Sequence, residues 1–332
     1  MSTRTPVLTA IAVVAAGAAA LALAACGEGS SGGSRGAGTA AGQAARSTGS
    51  SGAAAAGATA TAPLAPPPPP PPPALAVAPA REPGNGWQPV ARVHGHVAAW
   101  QSQRGGAALL RFDQRYVRLD LHAGEGEPEG SWRYGGRIES AEIHHVIAAF
   151  NGGFKFSTGA AGWMQAGRVA EPLRAGRGSI VTYRDGTSEI GAWRASVPAA
   201  NRPVYSVLQN LALLVDRGAP AATVESCIQS CWGATLGGGD SVARSGIGER
   251  ADGQLVWAAG EQLTPAALAR ALADAGARWA VELDINPEWV AGYLYAHSGE
   301  GPRAVPVVPG QNGIAGQFLQ PYTRDFFAVV AR

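Results

Sequence analysis

Residues 27–84 cannot build a core, and this confines everything foldable in the 332-residue chain to the stretch that follows them. The segment is mostly Gly, Ser, Ala and Thr up to Thr61, then an unbroken proline run from 66 to 73. Side chains of this kind bury too little apolar surface to offset the entropy lost on ordering. The first part reads as flexible coil, and the proline run as a semi-rigid polyproline II spacer of roughly 3.1 Å per residue. A tether holding a domain away from a surface fits this composition. A proline-rich peptide ligand is the alternative, and it has little to meet outside a cell.

Residues 1–26 read as an address. Arg4 supplies a short positive region, residues 7–25 are almost all Ala, Val and Leu, and Leu23-Ala24-Ala25-Cys26 closes the run. A plain signal peptide ends in small residues without needing that cysteine. The arrangement resembles a bacterial lipobox, which implies cleavage before Cys26, its lipidation, and a protein anchored on the outer face of a bacterial membrane. A retained transmembrane helix is the competing reading, since the run is long enough for one.

Residues 85–332 carry tryptophans, strand-like runs and turn signals throughout, and are long enough for one sizeable core. The formal charge is +2 with both signs interspersed, so no basic stripe for nucleic acid is present. Six histidines and three cysteines are too few for a metal-rich or disulfide-stapled scaffold. No metal-ligand set is evident, no cofactor is specified, and a divalent cation is left open. Cys227 and Cys231, in SCIQSCW, are expected to form a local disulfide in an exported protein. Free thiols on one helix face are the alternative, because a four-residue offset also fits a helix.

Strand patterns cover residues 107–112, 116–121, 146–150, 179–183, 187–193, 205–215, 244–250, 254–259 and 326–330. Asp185-Gly186 between two of them is a hairpin signal. Thr264-Pro265 reads as an N-cap followed by proline at the first helical position, with Gly276 ending the helix. Residues 138–144 are helix-like. Many hairpin-linked strands around one long helix predict an α+β fold of mixed, mainly antiparallel sheets with a few packed helices, in a single globular domain.

Three clusters could carry chemistry. The first is RWAVELDINPEW, residues 278–289. On a strand it places Val281, Leu283 and Ile285 on one face and Glu282, Asp284 and Asn286 on the other, and Pro287 stops the ladder. The two carboxylates would lie roughly 6–7 Å apart by strand rise, a spacing compatible with glycoside hydrolysis. A structural pairing of Glu282 with a nearby arginine is the plainer reading. The second is Asn151-Gly152-Gly153-Phe154 at a strand end, where paired glycines let backbone approach a ligand; an ordinary turn is its plain counterpart. The third is Arg244 among glycines 246 and 248, able to grip a phosphate or carboxylate or to form a surface salt bridge. Glu125, Glu127 and Glu129, set among glycines, read as a solvated loop.

In this order the clusters resemble the phosphodiester glycosidase family. The matching stretches are AAFNGGF (148–154), VLQNLALLVDRG (207–218), RSGIGERADGQLVWAAG (244–260) and LTPAALARALADAGARWAVELD (263–284). The resemblance implies a mixed α/β domain, cleavage of a sugar–phosphate diester at the anomeric carbon, and site residues Asn151, Arg244 and Asp284. Where that family continues L-D with G-G-G-S, this chain has LDINPE, residues 283–288. Ile285 restores a Cβ and Pro287 removes a donor, so a glycine-rich backbone cradle is not available there. The expected function is hydrolysis of glycosyl 1-phosphodiesters in envelope glycans. In that reading Asp284 and Glu282 are catalytic, and Asn151, Gly152, Gly153, Arg244 and Asn286 hold a glycan or sugar-phosphate ligand. A non-catalytic glycan-binding lipoprotein with a repurposed site is the alternative.

Overall fold

The computed structural model describes residues 86–160, 162–235, 237–298 and 301–332. The signal segment, Cys26 and the tether lie outside the described residues. Along the chain the first strands are β1 (Gln88–Val93), β2 (His96–Arg104), β3 (Ala107–Phe112), β4 (Val117–His122), β5 (Val146–Asn151) and β6 (Gly162–Gln165). Next come β7 (Arg168–Glu171), β8 (Gly178–Tyr183), β9 (Ser188–Ala192), β10 (Val204–Gln209), β11 (Leu213–Asp216) and β12 (Ala219–Pro220). The last are β13 (Val242–Arg250), β14 (Leu255–Leu263), β15 (Ala277–Glu282), β16 (Gly292–Ser298), β17 (Gly301–Pro306) and β18 (Phe326–Ala331). Helices α1 (Ser140–Ile143), α2 (Ile228–Cys231) and α3 (Pro265–Asp274) join them.

The strands form three antiparallel sheets. The largest runs β1-β2-β3-β14-β13-β15-β11-β12, and two smaller ones run β7-β6-β10-β8-β9 and β17-β16-β5-β18-β4. The α+β architecture expected from the hairpin signals is therefore present. Helix α3 starts as its sequence dictates: Thr264 accepts a hydrogen bond from the Ala267 N–H, Pro265 follows, and Gly276 takes φ +92° just beyond the end. None of the described helices is long and apolar enough to cross a membrane.

Both faces of the large sheet are covered, and the difference between them positions the site. One face carries Val256, Ala258 and Ala280 and packs against Leu268 and Leu272 of α3. The other carries Leu110, Ile247, Trp257 and Val281, and meets Leu119, Phe150, Ile180, Leu208 and Phe327 from the two smaller sheets. Gly246 lets α3 sit close, since a Cβ there would lie 3.1 Å from Leu272 Cδ1 and 2.9 Å from the Val281 carbonyl oxygen.

Two sequence expectations change. The apolar run 205–215 forms two strands rather than one, separated at Asn210, Leu211 and Ala212. The break occurs where the Asn210 side chain turns inward to bond other segments. The strand of RWAVELDINPEW ends at Glu282, not at Pro287. Beyond it the Asp284 carboxylate accepts the N–H groups of Ile285 and Asn286 at 2.7 and 2.9 Å, which turns the chain out of the sheet.

Candidate functional site

Ending β15 at Glu282 separates the two carboxylates that strict alternation places together. Glu282 stands opposite Gly246 in the β13–β15 ladder, so its side chain leaves on the α3 face of the large sheet. Arg244 lies on the same face. Both are fully buried, and Arg244 Nη1 donates to Glu282 Oε1 at 2.7 Å. The same guanidinium donates to the carbonyls of Leu263 and Trp232, each at 3.0 Å, and more weakly to that of Asp240 at 3.5 Å. An arginine expected to grip a ligand is thus enclosed, with its hydrogens directed at backbone and at Glu282. Burial pushes the Glu282 carboxyl up to about 7 against the pull of Arg244, and the Asp284 charge adds to the rise.

The α2 turn beside this pair is closed by a Cys227–Cys231 disulfide. Trp232 follows it, is buried, and supplies the carbonyl that receives Arg244. Gly233, at φ +91°, lies against Ile285 and Phe154; a Cβ there would fall 2.6 Å from Ile285 Cδ1. Ile285 and Phe154 form a small apolar cluster with Ala160 and Leu211. This explains the apolar residue that follows Asp284: Ile285 fills a gap between loops.

A second cluster gathers on the opposite side, where β5, β10 and β15 end and β13 and β18 begin. The Asn151 side chain donates to Ser245 Oγ at 2.9 Å and accepts from the Ala291 N–H at 3.3 Å. Ser245 Oγ donates to the Asp284 carbonyl at 3.1 Å, and the Asp284 N–H donates to the Gly152 carbonyl at 3.2 Å. Asn151 is therefore a buried tie between β5, β13 and the Asp284 turn. The glycines beside it are required by close approach. A Cβ on Gly152 would lie 2.5 Å from Asp325 Oδ1, and one on Gly153 would lie 2.6 Å from Asn210 Oδ1. Asn210 also accepts the Phe154 N–H and donates to the Glu282 carbonyl at 2.6 Å.

Into this frame the segment before β18 inserts Arg324 and Asp325. Arg324 Nη2 donates to the Gly153 carbonyl at 2.8 Å and to Asp284 Oδ2 at 3.4 Å, and Nη1 donates to Glu127. Asp325 Oδ1 accepts the Gly153 N–H at 3.2 Å. Arg324 Nε and Asp325 Oδ2 are buried and have no hydrogen-bond partner among the described residues, so the cluster retains bonding capacity. On its open side, exposed Lys155 lies 5.6 Å from the Trp289 ring, and its charge lowers the Asp284 carboxyl. Burial is the larger effect and leaves Asp284 above the usual range.

No family model matches the chain. No curated protein matches it either. Among solved structures, a similar chain trace is found in the catalytic domain of zebrafish N-acetylglucosamine-1-phosphodiester alpha-N-acetylglucosaminidase, auto-inhibited by its pro-peptide. Identity is 15%, the TM-score is 0.43, and the match covers 74% of this chain and 81% of that one. A hypothetical protein from Synechocystis matches at 12% identity and TM-score 0.44, over 72% of this chain and 63% of that one. A protein from Burkholderia pseudomallei K96243 described as exported matches at 12% and 0.34, over 70% and 74%. These are likenesses of chain trace at low identity.

The structure brings together Asn151, Gly152, Gly153 and Asp284 from the sequence reading, and sets beside them Arg324, Asp325, Asn210 and Lys155, which that reading did not single out. The same reading took Glu127 for part of a solvated loop, whereas Glu127 pairs with Arg324 and accepts the Phe156 N–H at 3.0 Å. Signals were present: Gln209-Asn210 interrupts an apolar run, and Arg324-Asp325 directly precedes the apolar β18. Asn286 contributes its N–H to Asp284, and its side chain accepts the Glu288 N–H at 2.9 Å, so it shapes the turn. The N–H groups that a glycine loop would offer a ligand after Asp284 are here directed at the Asp284 carboxylate itself.

Asp325 gives the site a pH signature. Burial pushes its carboxyl up to about 7 despite Arg324, with Glu127 and Asp284 adding to the rise. The folded state then holds this proton more tightly than the unfolded chain, whose carboxyl stays near 3.8. Its contribution to stability is largest at low pH and falls as pH rises between about 4 and about 7. Urea denaturation across that window should show a smaller decline for Asp325→Asn than for the parent protein. Equal declines would place the titration elsewhere.

Proposed function

We propose that the protein is an exported hydrolase of glycosyl phosphodiesters, held at a bacterial envelope by lipid on Cys26. The observation that carries this reading is the meeting of Asp284, Arg324 and the Gly152–Gly153 backbone at one strand-end cluster, with Lys155 at its open side. The ordered resemblance of residues 148–284 to the phosphodiester glycosidase family supports it. In the proposed reaction a water oxygen bonds to the anomeric carbon as the bond from that carbon to the phosphate oxygen breaks. The phosphate monoester leaves with the electron pair, and Arg324 and Lys155 neutralise it. Asp284 sets its charge beside the oxocarbenium-like centre and takes the proton that the attacking water loses, and Asp325, whose carboxyl burial and the Asp284 charge both raise, is a second group that can receive it. An anionic phosphate leaves readily, so strong protonation of the leaving group is not required.

Arg244 and Glu282 take a different part from the one their spacing suggested. Enclosed on the α3 face, they brace the end of β15 and the Trp232 segment from behind, and Arg324 takes over the role of phosphate cation. Sugar release from a panel of glycosyl 1-phosphodiesters, with and without divalent metal, tests the reading. Release from at least one substrate is expected, and none from any would overturn it. The enclosure of Arg244 also favours a second reading, a glycan-binding lipoprotein without turnover, which predicts binding in the same panel with no release.

A further inference from the structure

The chain enters its folded part along a groove that shares no residue with the Asp284 cluster. The groove holds about 530 Å³, and its walls include Gln101 and Gln103 of β2 and Val305, Pro306 and Val307 at the end of β17. Gly86, the first described residue, belongs to the same wall. Strands β1 and β17 are the outermost strands of their sheets, so each keeps one edge without a strand partner among the described residues. Gln101 and Gln103 are exposed, and an amide side chain can both donate to and accept from a peptide group. Free strand edges, amide side chains and the half-buried Val305 and Val307 together suit an extended, partly apolar segment of chain.

The point from which such a segment would start is fixed. Gly86 takes φ +91°, a bend that favours glycine, and a Cβ on it would lie 3.6 Å from Ser102 Oγ. Trp87 follows and is held by cations. Its ring has the Arg104 and Arg111 guanidinium groups at 5.9 and 5.1 Å, and Arg111 also lies 4.1 Å from the Trp100 ring. Arg111 is itself buried, so this clasp is part of the fold. The residues before Gly86 therefore leave directly from a wall of the groove.

Those residues include an aliphatic run that the rest of the tether lacks. Between the proline run and Gly86 the sequence reads Ala74-Leu75-Ala76-Val77-Ala78-Pro79-Ala80. Apart from proline, Leu64, Leu75 and Val77 are the only aliphatic side chains larger than alanine in residues 27–84. In an extended chain Leu75, Val77 and Pro79 fall on one face. The nine steps from Val77 back to Gly86 reach up to about 30 Å, ample for lying along the groove. Alone this run buries too little surface to fold. Against a wall already built it has only to cover Leu75 and Val77, and attachment to the same chain gives an effective concentration on the order of millimolar. The proline run is a poorer occupant, since it has no N–H to offer the glutamine amides.

We infer that residues 74–80 dock along this groove, with Leu75 and Val77 against Val305 and Val307 and their peptide groups against the Gln101 and Gln103 amides. Docking ends the free tether at the proline run and sets the place on the domain from which the anchor leaves. It holds whether or not the proposed hydrolase does, because the two use different residues.

Hydrogen exchange of the purified full chain, resolved by peptide mass, tests this. After correction for intrinsic rates, the amides of residues 75–80 should exchange about tenfold or more slowly than those of residues 47–57. Leu75→Asp combined with Val77→Asp, which alters no residue of the folded part, should abolish that protection and shift the Gln101 and Gln103 side-chain amide resonances. Val305→Asp, on the groove wall, should abolish the protection as well. Unprotected amides at 75–80 in the parent chain, or protection that survives in either variant, would overturn the inference. Protection that fades on dilution would seat this segment on a second copy and would overturn docking within one chain.

Discussion

Replacing Arg244 by alanine is expected to destabilise the fold by about 3–5 kcal/mol, the usual cost of leaving one member of a buried ion pair without its partner. The argument is geometric. Arg244 and Glu282 are both wholly enclosed, and removing the guanidinium strands a carboxylate whose other oxygen already lacks a partner among the described residues. It also frees the carbonyls of Leu263 and Trp232, which close the α3 face near the end of β15. The comparison that separates charge from packing is the pair of substitutions Arg244→Met and Glu282→Leu made together, which removes both charges while keeping apolar volume. Most of the loss should be recovered in the double variant, as read by urea midpoints. A single Arg244→Ala loss below about 1 kcal/mol, the range of exposed pairs, would mean that the pair is open to water.

Asp284→Asn should lower sugar release from a glycosyl phosphodiester by about 10²–10⁴-fold, the usual scale for a positioned acid–base or charge-stabilising group. Asparagine retains the oxygen that accepts the Ile285 and Asn286 N–H groups, so the turn survives. What it loses is the charge beside Arg324, where an amide replaces Oδ2. Binding of a non-cleaved glycan should persist within a few-fold. A variant that folds and releases sugar at the parent rate would remove Asp284 from the chemistry. Glu282→Gln offers the contrast: its main effect should be on stability, because Glu282 faces α3 and not the cluster.

Much of the fold was legible because its signals are local. Hairpin turns such as Asp185-Gly186, the Thr264-Pro265 cap and the Gly276 stop each depend on a few neighbouring residues, and each directs the chain as expected. The glycines of Asn151-Gly152-Gly153 read as a place where backbone approaches a ligand, whereas in the structure the Asp325 and Asn210 side chains occupy the space a Cβ would take. Alternation misled at Glu282 and Asp284, since period-two reasoning holds only while the strand lasts. Here the carboxylate of Asp284 itself ends the extended course by capping the next two N–H groups. Arg324 and Asp325 could not be placed from local sequence, because Arg324 meets Glu127 from nearly the other end of the domain. Such long-range pairs leave no periodic trace. Glu127 looked solvated for the same reason, its partner being 197 residues away.

The most direct measurement is hydrolysis of a glycosyl 1-phosphodiester in water enriched with heavy oxygen, followed by mass analysis of both products. Attack at the anomeric carbon, with Arg324 holding the departing phosphate and Asp284 beside the sugar, places the heavy oxygen on the released sugar and leaves the phosphate unlabelled. Heavy oxygen in the phosphate would mean cleavage of the phosphorus–oxygen bond and would contradict the assignment of Asp284 to the anomeric centre.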